Sequence, residues 1–137
     1  MSTELPVQYL DHPNGSLKSI VYSKKVGSGP HHPDGPAEIS WHTNGQIKTL
    51  AYCVDGVLTD IDGPAYREWY ADGSVREIEY YRDGSWHRLP SQGPALILYD
   101  ESRKVVNEFY RWNGREVERD YIPDEMKERD GLGRVFV

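Results

Sequence analysis

Apolar and polar side chains alternate over short stretches of this chain, and the stretches return at a regular interval. In Ala37-Glu38-Ile39-Ser40-Trp41 every second residue is apolar, the period of a strand with one face buried. Comparable runs rich in β-branched and aromatic residues cover 47–52, 75–81 and 96–99. A second kind of run departs from strict alternation. Its apolar positions are Leu17, Ile20 and Tyr22, then Ile47, Leu50 and Tyr52, then Val75, Ile78 and Tyr80. A step of three followed by a step of two changes face in an ideal strand, so its recurrence predicts a β-bulge. Between the runs stand Asn14-Gly15, Asn44-Gly45, Asp55-Gly56, Asp72-Gly73, Asp83-Gly84 and Asn113-Gly114. Such pairs supply the positive φ of tight hairpin turns.

These elements belong to an internal repeat. Gly-Pro-Ala begins at Gly35, Gly63 and Gly93, at intervals of 28 and 30 residues. Counting from each of these glycines, position ten holds Gly45, Gly73 and Arg103, and position twelve holds Ile47, Val75 and Val105. Position seventeen holds Tyr52, Tyr80 and Tyr110, and position twenty-one holds Gly56, Gly84 and Gly114. A degenerate copy comes first, with Leu5-Pro6-Val7 in place of Gly-Pro-Ala and Gly15, Leu17 and Tyr22 in register. The expected fold is all-β: one domain over 1–137, with four hairpin copies at about 5–34, 35–62, 63–92 and 93–121. They would form an elongated, twisted antiparallel meander, with a cap at 122–137. Within the cap, Pro123 starts a segment with acids first and bases last, which predicts one short helix over 123–129.

Composition changes this picture little. Ten Tyr and four Trp against two Phe suit half-buried pleated surfaces. Net charge is −6, with −5 concentrated between residues 55 and 83. That balance disfavours direct nucleic-acid binding and permits attraction to a basic partner. No apolar run is long enough to span a bilayer, and no leader peptide is visible at the first residues. Cys53 is the single cysteine. A cytoplasmic protein is therefore expected.

The repeat columns resemble MORN-type repeats, in particular the variant of the YwqK-type antitoxin-like proteins and of bacteriophage and giant-virus proteins. The likeness rests on His32-Pro33-Asp34-Gly35-Pro36-Ala37 and on Trp86-His87-Arg88 followed by Gly93-Pro94-Ala95. It covers roughly residues 5–121. The resemblance implies stacked hairpins acting as an interaction module, carried by a phage or other mobile element in the cytoplasm of its host. It gives no particular activity.

Residue chemistry points away from catalysis. His31, His32, Asp34 and His42 lack the spacing of a zinc site, and nothing calls for a cofactor. Cys53 has no neighbouring base in the sequence and its repeat counterparts are Ser23, Tyr81 and Arg111, so it reads as a passive thiol. Glu77 and Glu79 lie two apart and are expected on the solvated side of a strand. Gly27-Ser28-Gly29-Pro30 reads as a loop insertion rather than a phosphate cradle. Trp41, Trp69 and Tyr99 share position six and are expected to form an inward ladder of rings. Trp86 and Trp112 flank turns and are expected to be exposed, beside His87, Arg88 and Arg111.

Those five residues are the candidate anchors of a protein-binding surface. A second candidate set is acidic: Asp60, Asp62, Glu68, Asp72, Glu77 and Glu79. If these carboxylates point one way, they would imitate phosphates, as in an anti-CRISPR-like inhibitor of host defence. The expected function is thus a non-catalytic protein-binding repeat module. The alternatives are an acidic nucleic-acid mimic and an antitoxin-like partner of a toxin. Open sheet edges also allow pairing between copies.

Overall fold

A computed structural model describes residues 4–59, 63–129 and 135–136. The chain is all-β. Its strands are β1 (Val7–Asp11), β2 (Leu17–Tyr22), β3 (Glu38–Trp41), β4 (Ile47–Ala51), β5 (Cys53–Val54), β6 (Val57–Leu58), β7 (Tyr66–Trp69) and β8 (Val75–Glu79). They continue as β9 (Tyr81–Arg82), β10 (Ser85–Trp86), β11 (Leu96–Tyr99), β12 (Val105–Phe109), β13 (Arg111–Trp112), β14 (Arg115–Glu116), β15 (Glu128–Arg129) and β16 (Val135–Phe136). An eight-stranded antiparallel sheet runs in the order β1-β2-β3-β4-β7-β8-β11-β12. The pairs β5–β6, β9–β10 and β13–β14 are small hairpins set off from it. No described helix is long and apolar enough to cross a membrane.

The bulge read from the sequence is present in all four wide hairpins. Register shifts occur at Leu10/Asp11, Ser40/Trp41, Glu68/Trp69 and Leu98/Tyr99. Trp41 pairs with Ile47 and Ser40 with Thr49, so Lys48 is the extra residue. The three-residue step therefore keeps Ile47 and Leu50 on one face.

The six Asn-Gly and Asp-Gly pairs make two different turns. In Asp55-Gly56, Asp83-Gly84 and Asn113-Gly114 both residues have positive φ, as at Asp55 (52°) and Gly56 (80°). These are two-residue turns of the primed type that suits strand twist. In Asn44-Gly45 and its equivalents only the glycine is left-handed, and the Asn44 Oδ1 accepts from the Gln46 N–H at 2.9 Å. The wider loop is closed by Gly45 N–H donating to the His42 carbonyl at 2.9 Å and His42 N–H to Gln46 at 2.8 Å.

The fourth wide hairpin has Arg103 where the others have glycine, with φ of 69°. A left-handed L-residue is unfavourable by about 1–2 kcal/mol, partly offset by the greater entropy glycine loses on folding. Arg103→Gly is accordingly expected to stabilise the protein by about 0.5–1 kcal/mol, read as a higher urea midpoint at unchanged slope.

The predicted helix at 123–129 is corrected. Pro123 leads into a single 3-10 turn, Asp124–Met126, and Lys127 is already extended at φ −83° and ψ 137°. The chain then enters β15, which pairs with β16. Seven residues are too few to form a stable helix from local propensity alone.

Packing centres on small residues. Ala37, Ala65 and Ala95 are fully buried, and Ala51 and Cys53 nearly so. Ala37, Ala51 and Cys53 form a cluster against which Leu58 and Tyr66 pack. Burial, followed by the charge of Glu38, pushes the Cys53 thiol up to about 11. It stays protonated at neutral pH, as a passive thiol does.

Candidate binding surface

Register assigns side chains to the two faces of the sheet, since cross-strand partners lie on the same side. One row reads Tyr9–Ile20–Ile39–Leu50–Arg67–Ile78–Ile97–Glu108 across all eight strands. The adjacent row, on the opposite face, reads Leu10–Ser19–Ser40–Thr49–Glu68–Glu77–Leu98–Asn107. No member of the aliphatic row is buried. The buried positions lie on the polar side: Ser19, Ala51, Glu79 and Leu96. This inverts the usual apolar-in arrangement of an antiparallel sheet. The cause is the small hairpins, which lean onto the polar side. Leu58 of β6 packs on the cluster of Ala37, Ala51 and Cys53, and the Trp86 indole N–H of β10 donates to Glu79 Oε1 at 2.9 Å.

Trp41, Trp69 and Tyr99 do not form the expected inward ladder. They are half-buried on the aliphatic side, where pleating puts position six with Ile39 and Ile97. It is their carbonyls that tie neighbouring hairpins together. His12 Nε2 lies 2.8 Å from the Trp41 oxygen and His42 Nε2 lies 2.8 Å from that of Trp69. Tyr70 donates its hydroxyl to the Tyr99 oxygen at 2.7 Å.

The tips of the small hairpins are tied in the same manner. Gly56, Gly84 and Gly114 donate their N–H groups to the carbonyls of Pro30, Leu58 and Trp86 at 2.8–2.9 Å. His31 Nδ1 accepts from Asp55 N–H at 2.9 Å, and His87 Nδ1 from Asn113 N–H at 3.1 Å. The histidines weighed as metal ligands thus bond to backbone. Among the described residues no group of three or more His, Cys, Asp or Glu could hold a metal ion.

The five candidate anchors separate. Trp86 is half-buried, 6.2 Å from Tyr81, with the Arg111 Cζ 5.5 Å from its ring. His87 and Trp112 face another way. Their rings lie 4.0 Å apart, and their exposures are only 7% and 4%. The expected exposure of Trp112 is therefore corrected, while His87 lies in the junction loop after β10 but is buried there. Both are held inside, because residues 113–121 fold back and place Tyr121 6.5 Å from the Trp112 ring. Arg88 sits apart, its Cζ 3.9 Å above the Tyr80 ring and its Nη1 3.1 Å from the Pro94 oxygen.

The acidic set separates too. Asp60 and Asp62 lie outside the described residues. Asp72 caps its own turn, accepting from the Ser74 N–H at 2.8 Å and from its hydroxyl at 2.6 Å. Those bonds hold its carboxyl below its usual value. Glu68, Glu77 and Glu79 do share the polar face, Glu68 directly opposite Glu77. They are not the solvated side that their alternation predicts. Glu79 is buried, and Glu68 is held by Arg76 at 2.8 Å and by the Tyr66 hydroxyl at 2.7 Å.

Burial, then the charges of Glu79 and Glu68, raise the Glu77 carboxyl above its usual 4.5. An acid whose pKa is raised by folding opposes the fold when ionised, so protonation stabilises the native state as pH falls toward the raised value. Glu77→Gln is expected to stabilise the protein by about 0.5–1 kcal/mol at pH 7, the scale of directly opposed like charges. Urea melts should show this gain shrinking as the pH falls toward the raised value.

No family model, curated protein or solved structure matches this chain.

Proposed function

We propose that the chain is a non-catalytic protein-binding module made of four tandem hairpin copies, and that its aliphatic sheet face is the contact surface. The observation that carries this reading is the row Ile20, Ile39, Leu50, Ile78 and Ile97, all of which are only half-buried. A row of half-buried aliphatic side chains, interrupted by the exposed Arg67 and ended by Tyr9 and Glu108, has the composition of an interaction site. Neighbouring hairpins are tied by backbone and side-chain hydrogen bonds, so the face is pre-ordered and loses little entropy on docking. In keeping with its resemblance to phage and antitoxin-like repeats, the partner is a host or viral protein.

The acidic-mimic reading ranks second. Three carboxylates share one face, but phosphate imitation needs them free and facing water, and two are occupied within the fold.

The test is capture of a partner from the native cellular background by the immobilised wild type and by Ile39→Lys/Ile78→Lys, both checked for an intact thermal transition. A partner retained by the wild type and lost by the folded double variant supports the reading. Equal retention by both, or a partner that follows Glu68 and Glu77 substitutions instead, overturns it.

A further inference from the structure

The tyrosine at position seventeen stands where each wide hairpin leads into the next element, and the chain places a cationic group beside it in the later copies. Arg88 Cζ lies 3.9 Å from the Tyr80 centroid. Arg119 Cζ lies 5.8 Å from that of Tyr110, and its Nε donates to the Tyr110 hydroxyl at 3.0 Å.

In the first copy the hydrogen bonding identifies His32 as the counterpart of Arg88. His31 and His87 donate N–H to the Tyr22 and Tyr80 carbonyls, and His32 and Arg88 donate to the Cys53 and Arg111 carbonyls, all within 2.8–3.1 Å. The imidazole is shorter than an arginine. It meets Tyr22 edge-on, with ring centroids 4.9 Å apart and planes at 88°. Its Nδ1 is occupied, accepting from the Asp34 N–H at 3.1 Å. A cleft of about 370 Å³ remains, lined by Tyr22, His32, Leu5, Val7 and the acidic residues Glu4 and Asp34.

We infer that this cleft binds an arginine side chain presented by the protein partner, an assignment that rests on the protein-binding reading above. The chemistry matches on three counts. A tyrosine ring attracts a guanidinium through its quadrupole. Leu5 and Val7 offer apolar contact to the methylene stem. Asp34 supplies the countercharge that a planar fork of N–H donors seeks. The chain's own use of arginine on Tyr80 shows that the same elbow accommodates the group. The net charge of −6 favours approach of a basic segment.

The test uses N-acetyl-arginine amide as the probe, followed by NMR of the Tyr22 and His32 ring signals. N-acetyl-citrulline amide serves as the neutral isostere. Saturable shifts in the millimolar range are expected with the arginine derivative and none with citrulline. Asp34→Asn, an exposed loop change, should weaken binding about threefold, the scale of one exposed ion pair. His32→Arg should abolish it by filling the cleft from within, as Arg88 does above Tyr80. No saturable shift, equal binding of citrulline, or an unaltered affinity in Asp34→Asn would overturn the inference. Ile39→Lys/Ile78→Lys leaves the cleft intact, so probe binding in that variant separates failure of the sheet face from failure of the cleft.

Discussion

Replacing Trp112 by alanine is expected to destabilise the protein by about 3–5 kcal/mol, the range for removing a large aromatic from a packed interior. The ring is 4% exposed. It lies 4.0 Å from the His87 ring and 6.5 Å from that of Tyr121, so truncation would unseat both and leave a cavity beneath 113–121. Against a typical total of about 5–15 kcal/mol, such a loss should show as a large drop in denaturant midpoint. Trp86→Ala should do less, because that ring is half-buried. Its main effect is to remove the indole donor from Glu79 at 2.9 Å. The comparison separates two meanings of a tryptophan beside a turn. An interface anchor leaves stability within about 0.5 kcal/mol when truncated and weakens a complex. A core ring does the opposite. Unchanged midpoints for Trp112→Ala would restore the anchor reading and remove the packing account of the C-terminal segment.

The contrast shows where sequence reasoning holds for this chain. Period and spacing located the wide hairpins, and the irregular step in Ile47, Leu50 and Tyr52 announced the bulge, because both are local backbone properties. Turn residues marked where the chain reverses. They did not tell the two kinds of Asn-Gly turn apart, since the difference lies in whether the asparagine itself is left-handed, and both geometries favour the same residues. Which face is covered was not legible. Alternation in 37–41 separates apolar from polar side chains but is silent on what packs over each. On the polar side Trp86 of a small hairpin bonds to the buried Glu79, and the isoleucines of the other face are left half-buried. The site residues failed for the same reason. His87, Arg88, Arg111 and Trp112 are close in sequence or repeat position, yet His87 and Trp112 stack inside while Arg88 lies over Tyr80 and Arg111 beside Trp86. The Tyr22 cleft had a signal in the sequence, namely histidine at the junction position where the third copy carries arginine. It could be read only once hydrogen bonds had fixed which residues correspond.

Ala65→Leu is expected to destabilise the protein by about 1–3 kcal/mol or more, through overpacking rather than loss of contact. Ala65 is fully buried, as are Ala37 and Ala95. Its backbone is held on both sides: the N–H donates to the Glu79 oxygen at 2.9 Å and the carbonyl accepts from Tyr52 N–H at 2.7 Å. Ala37 and Ala95 donate in the same way to Ala51 and Phe109, and their carbonyls accept from Tyr22 and Tyr80 at 2.7–2.8 Å. The alanine of Gly-Pro-Ala thus sits where one hairpin joins the next, at the elbow between wide sheet and small hairpin, with its backbone pinned and its methyl fully buried. The first copy supports the reading. It carries Val7 at this position, on β1, an edge strand of the eight-stranded sheet, and Val7 is only half-buried. Ala65→Gly should be milder, about 1 kcal/mol, reflecting one lost methyl and a freer unfolded chain. The order leucine worse than glycine worse than wild type, in equilibrium unfolding, is the signature of a size limit. If leucine were tolerated better than glycine, the elbow would have spare volume, and the alanine column would report strand propensity instead of packing.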